Sequence, residues 1–87
     1  MAVVTVYTTD PCSFCVRVKQ LLTARGVAYE EINLAKDPDG RAELLQRTGM
    51  MSFPQVIVGD QLVGGFQETL RADQTGELRE LLGKAAA

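Results

Sequence analysis

The sequence has no histidine, only two cysteines, no massed charge of either sign and no long apolar run. Each absence closes off a class of function. Without histidine there is no nucleophile–histidine pair and no triad built on an imidazole base. A closed zinc site takes about four ligands, commonly Cys or His, so two cysteines would need a second chain or carboxylates to complete one. The nine Lys and Arg residues are scattered and the formal net charge is −2, which leaves no electrostatic footprint for nucleic acid or an anionic membrane. No apolar stretch approaches the ~20 residues of a membrane-spanning helix. The opening "MAVVTVYTTD" lacks the basic n-region and apolar segment of a signal peptide, and a cytoplasmic location is expected. There is no internal repeat, low-complexity tract, linker or phosphate loop.

What is present reads as one domain over residues 1–87, near the size at which a single core is just sufficient. "VVTVY", Val3 to Tyr7, is a β-branched and aromatic run that predicts a buried strand. Cys15, Val18 and Leu22 then recur at helical spacing, and Arg25 with Gly26 supplies a stop. "AYEEINL", Ala28 to Leu34, predicts a second strand anchored by Tyr29 and Ile32. Asp37 and Pro38 read as an N-cap and first helical residue, with Ala42 and Leu45 facing inward and Gly49 ending the helix near Thr48. "PQVIVGDQLVGG" predicts a hairpin: Gln55 to Val58, a Gly59-Asp60 turn, and Gln61 to Val63. A short helix follows Gly65. Thr75 is expected to cap a last one, with Leu78, Leu81 and Leu82 inside and the final alanines frayed. The order βαβαββα plus a short extra helix predicts an α/β fold, a four-stranded mixed sheet flanked by helices.

Cys12 and Cys15 fall where the first strand gives way to the first helix. In a reducing cytosol a disulfide is usually transient and catalytic, and one across two residues closes too small a loop to restrict the unfolded chain much. A redox pair is therefore favoured over a structural staple or half a metal site. A helix N-terminus stabilises a thiolate over a thiol, which assigns Cys12 as the attacking sulfur. Cys15, one turn deeper, should be less exposed and able to reach back onto a mixed disulfide. Arg17 and Lys19 add weak positive field, and Asp10 opposes it.

Two further stretches carry a bland and a functional reading side by side. Pro54 is either the start of an edge strand or a cis-proline that turns the Phe53 backbone toward an extended substrate. Gly64-Gly65-Phe66 is either a simple strand-to-helix loop or a close backbone approach with a helix N-terminus behind it that can bind a carboxylate. Met50 and Met51 read as loop filler near the core rather than as an adaptable surface. Tyr7 and Tyr29 read as sheet packing, and Glu30-Glu31 as a solvated strand end.

Taken together, Cys12-Ser13-Phe14-Cys15, Ser52-Phe53-Pro54 and Gly64-Gly65 resemble, in order and spacing, the glutaredoxin family, over Val3 to about Leu82. The resemblance implies a thioredoxin-like fold and reduction of protein disulfides or of mixed disulfides with a low-molecular-weight thiol. It implies no tightly bound cofactor and no resident metal, with glutathione or an equivalent thiol as cosubstrate and a monomer as the expected state. Carried over, Cys12 is the nucleophile and Cys15 the resolving thiol. Phe14 takes the place of the usual aromatic between them. Gln46 matches a glutamine that binds the glycine carboxylate of the peptide. Phe53, before Pro54, pairs through its backbone with the glutathione cysteine, and Gly65, Phe66 and Gln67 hold the γ-glutamyl carboxylate.

The chain also differs from the common pattern. Thr9-Asp10-Pro11 stands where many members carry a lysine, Ser13 replaces a proline, and Phe66-Gln67 replaces a small residue and an aspartate. The Gly65-Phe66 step is similar to redoxins that serve ribonucleotide reductase and take electrons from thioredoxin reductase; mycoredoxins use mycothiol instead. A carrier role is the other alternative, in which two monomers share a [2Fe–2S] cluster through each Cys12 and two glutathiones. A non-catalytic module of the same fold is disfavoured by two intact cysteines.

Overall fold

The computed structural model describes residues 3–86. Strand β1 (Val4–Thr8) leads into helix α1 (Ser13–Ala24), then β2 (Glu30–Asn33), α2 (Pro38–Thr48), β3 (Gln55–Val58), β4 (Gln61–Gly64), α3 (Phe66–Thr75) and α4 (Glu77–Ala86). The sheet order is β2-β1-β3-β4, with β1 parallel to β2 and antiparallel to β3, and β3 antiparallel to β4. The parallel pair is joined through α1 and the antiparallel pair through a two-residue turn, as a crossover and a hairpin require.

The two faces of the sheet are covered unequally. On one face Val4, Val6, Val56 and Val58 pack with Val18 and Leu22 of α1, Ala72 of α3 and Leu78 of α4; Leu81 and Leu82 pack against this cluster. On the other face α2 stands alone, and the cluster is Leu34, Leu44 and Ile57 with Tyr7, Ile32, Phe53 and Leu62 around it. Leu44, rather than Ala42 or Leu45, is the residue of α2 that faces inward. The Asp37 cap fixes the phase of α2, its side chain accepting from Gly40 N at 2.9 Å, and that phase turns Ala42 and Leu45 to the exposed margin.

Other boundaries shift for local reasons. β2 is an edge strand shorter than Ala28 to Leu34, because its pairing with β1 runs only from Thr5 opposite Glu30 to Thr8 opposite Asn33. β4 extends to Gly64 through a bulge: Val56 pairs with Gly64 and Ile57 with Leu62. Gly64 sits at φ 128°, and a Cβ there would meet Glu68 Cβ at 2.8 Å, so both conformation and space require glycine. The helix after Gly65 is as long as the last one, ten residues each. Thr75 ends α3 rather than starting α4, with left-handed Gly76 between them, although its hydroxyl still accepts from Glu77 N at 3.4 Å. Of the terminal alanines expected to fray, the helical backbone reaches Ala86 and Ala87 lies outside the described residues. Among the described residues no helix is long and apolar enough to cross a membrane.

Candidate functional site

The redox pair is built at the first turn of α1. Cys12 is the N-cap, in extended conformation, and its Sγ accepts the Cys15 N–H at 3.1 Å. Sulfur thus takes the place that a serine or aspartate oxygen usually fills at a helix start. Cys15 lies beneath it at 2% exposure while Cys12 is half-buried. The two are joined as a disulfide, with Cα atoms 5.2 Å apart, inside the range a bridge needs. The first turn of α1 holds no acidic residue, so nothing there competes with a sulfur anion for the amides.

The loop before the pair is fixed from the side. Asn33 Nδ2 donates to Asp10 Oδ2 at 2.8 Å, tying the loop to the end of β2. Lys19 is turned away from the cysteines, its Nζ 3.1 Å from Glu31 Oε2, and Thr8 Oγ1 donates to the same oxygen at 2.8 Å. Glu31 is therefore a tie between β1, β2 and α1 rather than a free strand end. Arg17 does lie close to the site, its guanidinium 5.6 Å from the centre of the Phe14 ring and one helical turn on.

Opposite α1, the start of β3 and the N-terminus of α3 form the other walls. A groove of about 220 Å³ is lined by Phe14, Ser52, Phe53, Pro54, Gly65, Phe66, Gln67 and Glu68. The Phe53–Pro54 peptide is cis, as is Asp10–Pro11. Phe14 and Phe66 stack across the groove, ring centres 5.7 Å apart and planes 21° from parallel, which couples the first turns of α1 and α3. Gly65 approaches the β3 start closely: a Cβ there would lie 3.1 Å from Glu68 Oε1 and 3.5 Å from the Pro54 carbonyl. Gly65 N donates to Glu68 Oε1 at 2.8 Å. This closes one first-turn amide, while helix geometry leaves those of Phe66 and Gln67 without an intrahelical acceptor.

Six expected substrate residues, Phe14, Phe53, Pro54, Gly65, Phe66 and Gln67, are thus brought together, and Gln46 is not. It is exposed on α2, outside the groove lining. Ser52 and Glu68 line the groove without having been singled out for a role. A cap pattern of Ser or Thr three residues before an acid would have marked Glu68, but the cap here is Gly65. Met51 is 81% exposed, not core filler. It borders a second, more apolar hollow of about 220 Å³ with Leu45, Met50, Phe53 and Gln55. Among the described residues no three Cys, Asp or Glu side chains are gathered as a metal would need.

At the far end of α1, Arg25 Nε donates to Asp73 Oδ1 at 2.8 Å and Nη2 to Oδ2 at 2.9 Å. This fork joins the end of α1 to α3. The hydrogen bond from Arg25, then its charge, holds the Asp73 carboxyl below its usual range against the opposing effect of burial, and the Arg25 guanidinium is raised in turn.

Comparison with known proteins agrees with this geometry. The family model for glutaredoxin matches residues 4–63. A glutaredoxin of Pseudomonas aeruginosa is 39% identical over 82 residues, covering 94% of this chain and 98% of that one. Glutaredoxin 3 of Escherichia coli is 34% identical over 82 residues, covering 94% and 99%. Among solved structures, the buckwheat glutaredoxin–glutathione complex superposes with a TM-score of 0.85 at 32% identity, over 97% of this chain and 79% of that one. The holo form of glutaredoxin C1 from Populus tremula x tremuloides gives 0.85 at 37%, over 97% and 78%. With its thioredoxin-like sheet and a Cys12-x-x-Cys15 pair at the first helix, the chain belongs to the glutaredoxin family and is a thiol–disulfide oxidoreductase.

Proposed function

We propose that this protein reduces protein disulfides and mixed disulfides of a low-molecular-weight thiol in the cytoplasm, acting as a single domain, with glutathione as cosubstrate. The observation that carries the reading is the cap of α1, where the more exposed sulfur receives the amide of the very residue whose buried sulfur it bridges. Once the disulfide is opened, that amide and the helix end favour an anionic Cys12 sulfur. The thiolate attacks the substrate disulfide, forming a Cys12–substrate bond and releasing the other half as a thiolate that takes up a proton. Either an external thiolate or Cys15 then displaces the substrate from Cys12. The Cys15 route returns the intramolecular disulfide seen here, and two glutathiones reduce it to the dithiol with formation of glutathione disulfide.

Glutathione is supported by the likeness to the buckwheat glutaredoxin–glutathione complex and by a groove suited to a short peptide. In this reading the Phe53 backbone pairs with the thiol's own backbone beside Pro54. The free amides of Phe66 and Gln67 take its γ-glutamyl carboxylate, with Phe14 and Phe66 as one wall. Gln46, outside that lining, is left as a contact for the glycine end. The test is turnover of a glutathionylated peptide with glutathione as reductant. Wild type should turn over and Cys12→Ser should fall to the uncatalysed rate; full activity in Cys12→Ser would reject the assignment of roles.

A further inference from the structure

Gln55 is the polar exception in a central strand, β3, whose other members, Val56, Ile57 and Val58, are buried apolar side chains. It is 1% exposed, and its Nε2 donates at 3.0 Å to both the Met50 and the Ser52 carbonyls. Its Oε1 is buried without a hydrogen-bond partner among the described residues. Leaving a buried acceptor without a partner is costly, and a methionine of similar volume would avoid that cost. What the amide holds is specific: two carbonyls of the loop that delivers Phe53 and Pro54 to the groove. The start of that loop is tied separately, since Met50 N donates to Thr48 Oγ1 at 3.1 Å and this hydroxyl donates to Leu44 O at 3.0 Å. α2 thus fixes where the loop begins, and Gln55 fixes its path up to the residue before Phe53.

We infer that Gln55 is a positioning residue. It sets the Phe53 backbone at the distance where an extended peptide can pair with it, and so selects disulfides that carry a peptide backbone over disulfides that carry none. Gln55 does not touch the reacting sulfurs in this account and acts only through the loop. The inference rests on the reading of Phe53 as a wall of the substrate groove.

The test compares two probes in a single turnover, with no added reductant. Reduced protein is mixed with glutathione disulfide, which has a peptide backbone, or with 2-hydroxyethyl disulfide, which has none. Formation of the Cys12–Cys15 disulfide, balanced by release of two thiols, is followed by rapid quench and intact mass. Wild type is expected to prefer glutathione disulfide. In Gln55→Met the ratio of the two rate constants should fall about tenfold, less than the ~100-fold that a ~1 Å misplacement can cost. The fall should appear in the half-saturating concentration of glutathione disulfide rather than in the limiting rate. Thr48→Val, which removes the other tie, should shift the ratio the same way by less, and it decides the matter should Gln55→Met fail to fold. An unchanged ratio, or a parallel loss with both probes as a merely structural residue would give, overturns the inference. A wild type without preference overturns the groove reading, and this inference with it.

Discussion

Helix α1 begins on a cysteine sulfur and has no acidic residue in its first turn, whereas α3 begins on Gly65 and turns Glu68 back onto that glycine's amide. Both first turns border one groove and are coupled by the Phe14–Phe66 stack. The remaining helices follow the pattern of α3, with Asp39 in the first turn of α2 and Glu77 and Glu80 in that of α4. A helix start is ordinarily stabilised by a carboxylate of its own chain. At α1 that stabilisation is left for a thiolate formed during the reaction. In the proposed function the contrast separates the end where chemistry occurs from the end that would read the ligand.

The contrast can be broken most severely at the sulfurs. Cys15→Ser should abolish reduction of protein disulfides while sparing single-thiol release of glutathione from a mixed disulfide, measured by comparing the two substrates under the same reductant. Equal loss on both would mean that Cys15 does more than resolve. An acid placed on α1 should sharpen the difference from within: Ser13→Glu is expected to slow alkylation of Cys12 about two- to fivefold, the equivalent of one exposed charge at a helix end. The same change should stabilise the helix slightly, so opposite signs in reactivity and thermal midpoint are the signature sought. Removing the acid from α3 is the reciprocal change. Glu68→Ala should cost up to about 1 kcal/mol of stability, as loss of a cap does, and should lower the half-saturating glutathione concentration by freeing the Gly65 amide.

The smallest effect belongs to the opposite end of α1. Asp73 has a lowered folded-state pKa, so its contribution to stability is present above the ordinary carboxylate range, near pH 4. It is lost as pH falls through the lowered value. Asp73→Asn should be slightly less stable than wild type near neutrality, where the contribution is complete, and the difference should vanish as pH falls below the lowered value, as read from denaturation midpoints across pH. Salt should weaken the contribution, because the Arg25 partner is largely solvated.

The sheet and its helices were legible because β1 announces itself as a β-branched run and α1 by its helical period, and because Asp37-Pro38, Gly49 and the Gly59-Asp60 turn punctuate the chain. The redox pair was legible from its spacing at a strand-to-helix junction. Less legible was the inward face of α2, since a single helix covering a small core buries only Leu44, and one buried residue has no period. The tie from Lys19 to Glu31 and the fork from Arg25 to Asp73 link residues 12 and 48 apart, beyond any local pattern. Gln55 read as one more strand residue, because its work is done on carbonyls, which no sequence marks. Phe14 and Phe66 were each noted, but their stacking depends on how closely α1 and α3 are packed.

The central claim is that Cys12 is the attacking sulfur and that the groove between α1 and α3 holds glutathione. Its most direct test takes Cys15→Ser, treats it with glutathione disulfide and follows the intact mass. One glutathione adduct should form on Cys12 and be removed promptly by free glutathione. An adduct that fails to form, or that free glutathione cannot remove, would contradict the account.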